Sequence, residues 1–318
     1  MRKVSFAAYG GPEVLRLAEA EEPRPGPGRI RIAVRAAGVN PVDWRIREGQ
    51  KLGAHPPAPL PAGLGLDAAG IVDEVGEGVE GVRPGDRVFG EGAETYAEFA
   101  VLSAWARMPG GLSFAEAAGY PSVMETALRV LGEVGVRPGQ RLLVSGAAGG
   151  VGSAVLQVAR ARGIAVTGTA GPANQEYLRS LGADATTYGP GWTGRVRRIG
   201  PVDAALDLAG AGVVRELVGL TGEAGRVVSI ADLTAPEQGV RFSGTAGDVW
   251  AALEATVALL HRGELRIPVT RAYPLAEAAR AHADSQAGHT RGRRVLLVGE
   301  GEPRLSRRRR ACRVGRGG

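Results

Sequence analysis

Apolar positions along this chain fall into two textures. Up to about residue 120 they form short runs with β character at 4–8, 30–36, 69–75, 87–89 and 96–101. Clusters of Pro and Gly at 23–28, 56–65 and 83–86 separate those runs, which predicts a turn-rich β region. Residues 116–134 then carry Ala117, Ala118, Val123, Ala127, Leu128 and Leu131 at the spacing of one helix face. From residue 141 strands and helices alternate. Strands are predicted at 142–145, 165–169, 204–208, 227–230 and 240–243, with helices at 153–162, 174–181 and 249–262. This alternation calls for a parallel sheet with right-handed crossovers. The stretch 265–298 reads as strand, helix (275–285) and a final strand (294–298).

The join between the strand at 142–145 and the next helix is Gly146-Ala147-Ala148-Gly149-Gly150-Val151-Gly152. Strand, glycine turn and helix form the context of a dinucleotide-binding fingerprint, here Ala147-x-Gly149-x-x-Gly152 with Ala in the first glycine slot. Gly149 would let the backbone approach a pyrophosphate, and Gly152 would let the helix pack against the strand. The helix N-terminus adds free N–H groups and a positive dipole end. Ala148, Gly149, Gly150, Val151 and Gly152 are therefore the first cofactor-binding candidates. An acid at the end of the second strand would select NAD by bonding the ribose 2′-hydroxyl. The chain has Gly168-Thr169-Ala170-Gly171 there and no acid before Glu176, which favours NADPH. Thr169, Asn174 and Gln175 are candidate donors to the extra phosphate and Arg179 a candidate charge; Asn174 serves equally well as a helix N-cap.

Composition narrows the setting. A chain of 318 residues with 44% hydrophobic content has room for two domains. The single cysteine, Cys312, allows no internal disulfide, so a reducing, cytoplasmic location is expected. No leader-like N-terminus and no bilayer-length apolar run are present, so no membrane association is expected. Beyond residue 298, seven arginines face Glu300 and Glu302, so that +5 of the +6 net charge belongs to the tail. Arg307 to Arg310 is the only feature that suggests a polyanion partner. A solvated, disordered appendage accounts for it as well, and nucleic acid is not an expected partner.

Ordered motifs then resemble a known family. Ala37-Gly38-Val39-Asn40-Pro41-Val42-Asp43-Trp44, Gly65-Leu66-Asp67-Ala68-Ala69-Gly70-Ile71-Val72 and Val75-Gly76-Glu77-Gly78-Val79 come first. Pro84 to Gly90, Gly146 to Gly152, Leu181-Gly182-Ala183-Asp184 and Gly288-His289-Thr290-Arg291-Gly292-Arg293 follow in sequence. Together these motifs resemble the medium-chain dehydrogenase/reductase superfamily, in its zinc-free NADPH:quinone oxidoreductase branch. The resemblance covers residues 1–298. It implies an α/β chain, with a GroES-like β domain plus a Rossmann-fold doubly wound parallel sheet. The implied division is a catalytic domain at 1–122, an NADP-binding domain at 123–266, a return to the catalytic domain at 267–298 and a tail at 299–318. A homodimer is also implied. By the same resemblance Tyr188 lies by the adenine, and Thr126 near the nicotinamide and phosphates. Gly210, Ile230 and Ala231 line the nicotinamide side, and Phe242 and Ser243 border the cofactor.

Metal-dependent members of the superfamily carry Cys where Asn40 stands and His where Leu66 stands, and four scattered histidines with one tail cysteine supply no zinc cluster, so no metal is expected. Without a Lewis acid a simple carbonyl is a poor hydride acceptor, whereas a quinone or an α,β-unsaturated carbonyl spreads the arriving charge. Asn40 is the candidate donor to the developing oxyanion as well as a cofactor neighbour. Asp43 and Asp67 are candidates for relaying a proton or for holding a loop, and Tyr120 is a candidate proton donor. Trp44 and Trp105 are candidates for an apolar wall. The expected activity is hydride transfer from NADPH to a quinone or enone. The alternative is a non-catalytic NADPH-binding protein with nucleic-acid affinity through its basic tail.

Overall fold

The structure is a computed structural model that describes residues 1–50, 57–244 and 247–299; the Arg-rich tail and Cys312 lie outside the described residues. The N-terminal part opens with strands β1 (Arg2–Phe6) and β2 (Arg16–Glu19), an antiparallel pair. Next come β3 (Ile30–Val39), a helix α1 (Pro41–Arg47) and the short β4 (Ala62–Gly63), which pairs with β1. Strands β5 (Asp67–Val75), β6 (Arg87–Ala93) and β7 (Phe99–Arg107) follow as an antiparallel succession, and β7 returns to pair with β3. Ile30, Ile32 and Val34 are buried and alternate with partly exposed neighbours, as a strand with one covered face requires. From Ala36 to Val39 every residue is buried, because the rest of the molecule covers the second face there.

Two helices lead out of this sheet, α2 (Phe114–Ala117) and α3 (Pro121–Val134). The spacing over 116–134 predicts one helix. The break arises because Pro121 has no N–H to continue α2, so the chain restarts with Pro at the first position of α3. The second sheet is wholly parallel. Its strands are β8 (Arg141–Ser145), β9 (Ala165–Thr169), β10 (Asp184–Thr186), β11 (Ala204–Asp207), β12 (Val227–Ser229) and β13 (Arg241–Phe242), in the order β10-β9-β8-β11-β12-β13. The crossovers contain α4 (Gly150–Ala161), α5 (Gln175–Ser180), α6 (Trp192–Ile199) and α7 (Val214–Thr221), and α8 (Val249–His261) follows β13.

Strand alternation sorts the core into two layers. Leu142, Val144, Ala204, Leu206 and Val228 point into the cluster formed with α3, α4 and α8. Leu143, Ala205 and Val227 point the other way, onto Trp192, Val196, Val214 and Leu217 of α6 and α7. Neither α6 nor α7 is predicted from the sequence. Each buries only two residues, so its apolar signal is two positions deep. The helix α1 is missed for a similar reason, since its buried residues are Asp43 and Arg47. Finally β14 (Val269–Pro274) and β15 (Arg293–Leu297) flank a helix α9 (Ala278–Gln286), and β15 lies antiparallel to β3, so the end of the described chain rejoins the first sheet.

The turn between β8 and α4 is tight at Gly152, where a Cβ would sit 2.5 Å from the Gly146 carbonyl oxygen and 2.6 Å from the Ala147 carbonyl carbon. Backbone, not a movable side chain, fills that space. Gly152→Ala is expected to destabilise the protein by about 1–3 kcal/mol, read as a lower urea midpoint at unchanged m-value.

Candidate active site

Strand order reverses between β8 and β11, and their carboxyl ends part at a topological switch point, the place where open α/β sheets bind ligands. A cavity of about 1620 Å³ opens there and runs to the first sheet. The β8–α4 turn forms one wall through Ala148, Gly149, Gly150, Val151 and Gly152. Gly149 is the N-cap of α4, so the first N–H groups of a twelve-residue helix have no intrahelical partner beside the cavity. Thr169 and Asn174 border the cavity after β9, with the half-exposed Tyr188 and with Gly210 nearby. Ile230, Ala231, Phe242 and Ser243 line it beyond β12 and β13, Thr126 from α3, and Asn40 from the end of β3. Apart from Gln175 and Arg179, the cofactor-binding candidates read from the sequence thus share one cavity.

Two of the three catalytic candidates do not reach it. Asp43 is fully buried, and its carboxylate accepts the Asn40 N–H at 2.7 Å and the Tyr96 hydroxyl at 2.7 Å. It closes the first turn of α1 as an N3 acid does. Burial pushes its carboxyl up to about 7, and the Tyr96 contact lies away from the cavity wall. Tyr120 is 2% exposed at the start of α3, outside the cavity, and burial pushes its phenol up to about 12, a poor proton donor near neutrality. Gln175 spends its amide on the Ala170, Gly171 and Thr186 carbonyls, and neither it nor Arg179 lines the cavity. Trp44 does line it, whereas Trp105 packs edge-on against Trp250 at 4.9 Å.

Asn40 stands in a buried polar network whose centre is Arg293, a residue that sequence reasoning gave no role. The Arg293 guanidinium donates to Asn40 Oδ1 at 2.8 Å and to Asp67 Oδ2 at 3.2 Å. Asn40 Nδ2 donates to the same Asp67 oxygen at 2.9 Å. The other Asp67 oxygen accepts the Ser122 N–H at 2.9 Å and the Ser122 hydroxyl. Asp67 is therefore a loop-holding acceptor, with no exposure of its own. Burial lowers the Arg293 pKa, and the Asp67 charge opposes that shift. Gly150 makes room for the side chain, because a Cβ there would lie 2.7 Å from Arg293 Cδ. The preceding residue bonds the glycine turn directly, Gly292 N–H to the Ala148 carbonyl at 2.9 Å. The sequence signal for Arg293 is its place at the end of the Gly288–Arg293 motif, where a pair of arginines opens the strand ahead of Val295, Leu296 and Leu297.

Further charged residues line the cavity without having been singled out, among them Arg45, Arg129, Glu91, Glu125 and Glu216. Arg45 reaches across to the Ala231 carbonyl at 3.1 Å. Glu125 accepts from Arg129 Nε at 2.8 Å and from the Gly247 N–H at 2.6 Å, and Arg129 also donates to the Ser243 hydroxyl. Glu91 differs. Its backbone carbonyl accepts from Ser103 at 3.3 Å, but its carboxyl has no hydrogen-bond or ion-pair partner among the described residues. Burial pushes that carboxyl up to about 7, helped by the negative charges of Asp67 and Glu125. No cluster of three or more metal-ligating side chains occurs among the described residues. No described helix is long and apolar enough to cross a membrane.

Residues 26–128 match the family model of the alcohol dehydrogenase GroES-like domain, and residues 181–296 that of the zinc-binding dehydrogenases. The chain is 31% identical over 327 residues to the quinone oxidoreductase of Pseudomonas aeruginosa, covering 93% of this chain and 99% of that one. It is also 37% identical over 311 residues to a pikromycin polyketide synthase component of Streptomyces venezuelae, which covers 89% of this chain but 8% of that much longer protein. The crystal structure of Escherichia coli quinone oxidoreductase complexed with NADPH superposes with a TM-score of 0.80 at 27% identity, covering 94% of this chain and 100% of that one.

Truncating Arg293 would leave the Asp67 carboxylate buried without its counter-charge. Arg293→Ala is expected to cost about 3–5 kcal/mol of folding stability. Urea unfolding at neutral pH measures it, and adding Asp67→Asn to the same chain should recover part of the loss.

Proposed function

The chain belongs to the medium-chain dehydrogenase/reductase superfamily, in its quinone oxidoreductase branch, and on that premise we propose that it is a zinc-independent, NADPH-dependent reductase of quinones or α,β-unsaturated carbonyls. One observation carries the reading: a single cavity at the switch point joins the glycine turn to the Asn40 amide. The residues present fit a dinucleotide. At Gly149 a Cβ would meet one backbone oxygen, at 3.5 Å, and otherwise project into free space, so the turn is open on the side where a pyrophosphate would rest. The α4 N-terminus supplies N–H donors to it. In this reading Thr169, Asn174 and Tyr188 hold the adenosine half, while Thr126, Gly210, Ile230, Ala231, Phe242 and Ser243 hold the nicotinamide half. The end of β9 presents no carboxylate to repel a 2′-phosphate.

When bound, NADPH supplies the hydride. The protein's own task is to place an acceptor against it and stabilise the charge that arrives on the acceptor oxygen. Asn40 suits that task. Its Nδ2 carries two N–H bonds, Asp67 takes one, and the other is left for a ligand in the cavity. Arg293 holds the amide from its oxygen side, so the donor is oriented before any substrate enters. Trp44, Val42 and Leu66 add apolar wall beside it, which suits a flat conjugated acceptor.

Mixing the protein with NADPH, 9,10-phenanthrenequinone and a panel of enones should consume coenzyme with at least one acceptor, followed as loss of NADPH absorbance. No consumption with any of them would overturn the reading. Asn40→Ala should lower kcat about 10²-fold, the effect expected for one oxyanion donor, while NADPH affinity by calorimetry stays within about twofold. An unchanged kcat would take Asn40 out of the chemistry.

A further inference from the structure

We propose that Glu91 is the general acid of this site, the group that gives the acceptor the proton completing its reduction. The inference rests on the hydride-transfer reading above and deepens it. Glu91 lies on β6, opposite Asp67 of β5 and Ala104 of β7, and lines the cavity that Asn40 lines. The next residue is bonded to Leu66, Gly92 N–H to the Leu66 carbonyl at 2.9 Å, so Glu91 is anchored beside the wall of the acceptor end.

Geometry removes the competing acids. Asp43 and Asp67 do not line the cavity, and both are occupied by internal donors. Tyr120 is sealed behind the wall. Glu125 lines the cavity, but its carboxyl is engaged by Arg129 and the Gly247 N–H. Glu216 lines it from the exposed surface of α7, on the second sheet and away from Asn40. Of the lining carboxyls that no described donor engages, Glu91 is the one on the Asn40 side, directly across the strand pair from the Asp67 that Asn40 bonds. The charged groups arrayed around it are Asp67 from β5, already paired with Arg293, and Glu125 and Arg129 from α3. The two carboxylates and the partial burial act in one direction and keep its proton in place near neutrality, with a pKa of about 7.

For an enone the balance is as follows. The hydride forms a new C–H bond at the β carbon, and the alkene electron pair moves toward the carbonyl oxygen, where Asn40 donates. The Glu91 O–H bond then breaks, its proton goes to the α carbon, and the enolate pair forms that C–H bond. A quinone takes the same proton on oxygen. The Glu91 carboxylate, half-buried rather than sealed, regains a proton from water.

The test compares wild type with Glu91→Gln and reads the carboxyl directly. Wild-type kcat is expected to fall as pH rises through about 7, because the acid must carry its proton. Glu91→Gln is expected to lower kcat about 10²-fold at about pH 6, to lose that limb and to bind NADPH as wild type does. In coenzyme-free protein labelled with 13C at glutamate carboxyls, the resonance missing from Glu91→Gln should titrate near 7 rather than in the ordinary glutamate range. A variant with wild-type rate and pH profile, or a Glu91 that titrates in the ordinary range, overturns the assignment while the reductase reading stands. A wild type that consumes no NADPH with any acceptor overturns both. The titration reads wild-type protein, so it decides the matter even where Glu91→Gln folds poorly.

Discussion

Arg293 brings a charge into a region where almost no solvent reaches it, and such a charge persists only if its attraction to a partner offsets the cost of leaving water. Asp67 is that partner, and Asn40 is gripped between the two. The three residues belong to β15, β5 and the join between β3 and α1, and Ser122 at the start of α3 is bonded to the same carboxylate. One buried ion pair therefore fixes four chain segments around the amide at the cavity's edge. Its worth lies in that positioning more than in net stability, since a buried pair often only breaks even against apolar packing. The glycine turn takes part as well, because Gly150 must lack a side chain for Arg293 to lie where it does.

The parallel sheet supplies the other half of the arrangement. Alternate residues of β8, β11 and β12 bury into separate layers, which leaves the strand ends free to carry function. The reversal of strand order at β8 and β11 makes a crevice that no side chain has to be sacrificed to create. The first sheet faces this crevice, and the bond from Gly292 to Ala148 stitches the two together at the turn itself.

Within the cavity, carboxyl groups of one chemical type are set apart by their neighbours. Glu125 is engaged by a guanidinium and a backbone N–H. Glu91 is partly buried, has negative neighbours and has no described donor, which favours its protonated form. Separating two like groups in this way lets one wall contain both a carboxyl tied to a guanidinium and one free to exchange a proton.

The local record in the sequence was sufficient for everything that depends on near neighbours. Residues 141–152 specify strand, turn and helix because glycine spacing and apolar periodicity act over a few residues. The same holds for the alternation that made the second sheet parallel, and for the absence of an acid after β9. Helices α1, α6 and α7 escaped because each buries too few apolar residues for a period to show. The roles of single polar residues were decided elsewhere. Asp43 and Tyr120 sit near the right place in sequence, yet their side chains point away from the cavity, a matter of packing that no local pattern records. Arg293 lies 253 residues from the amide it orients, and Glu91 owes its raised pKa to burial and then to the charges of Asp67 and Glu125. Electrostatic environment is a sum over groups brought together by the fold, so only the tertiary structure could assign it.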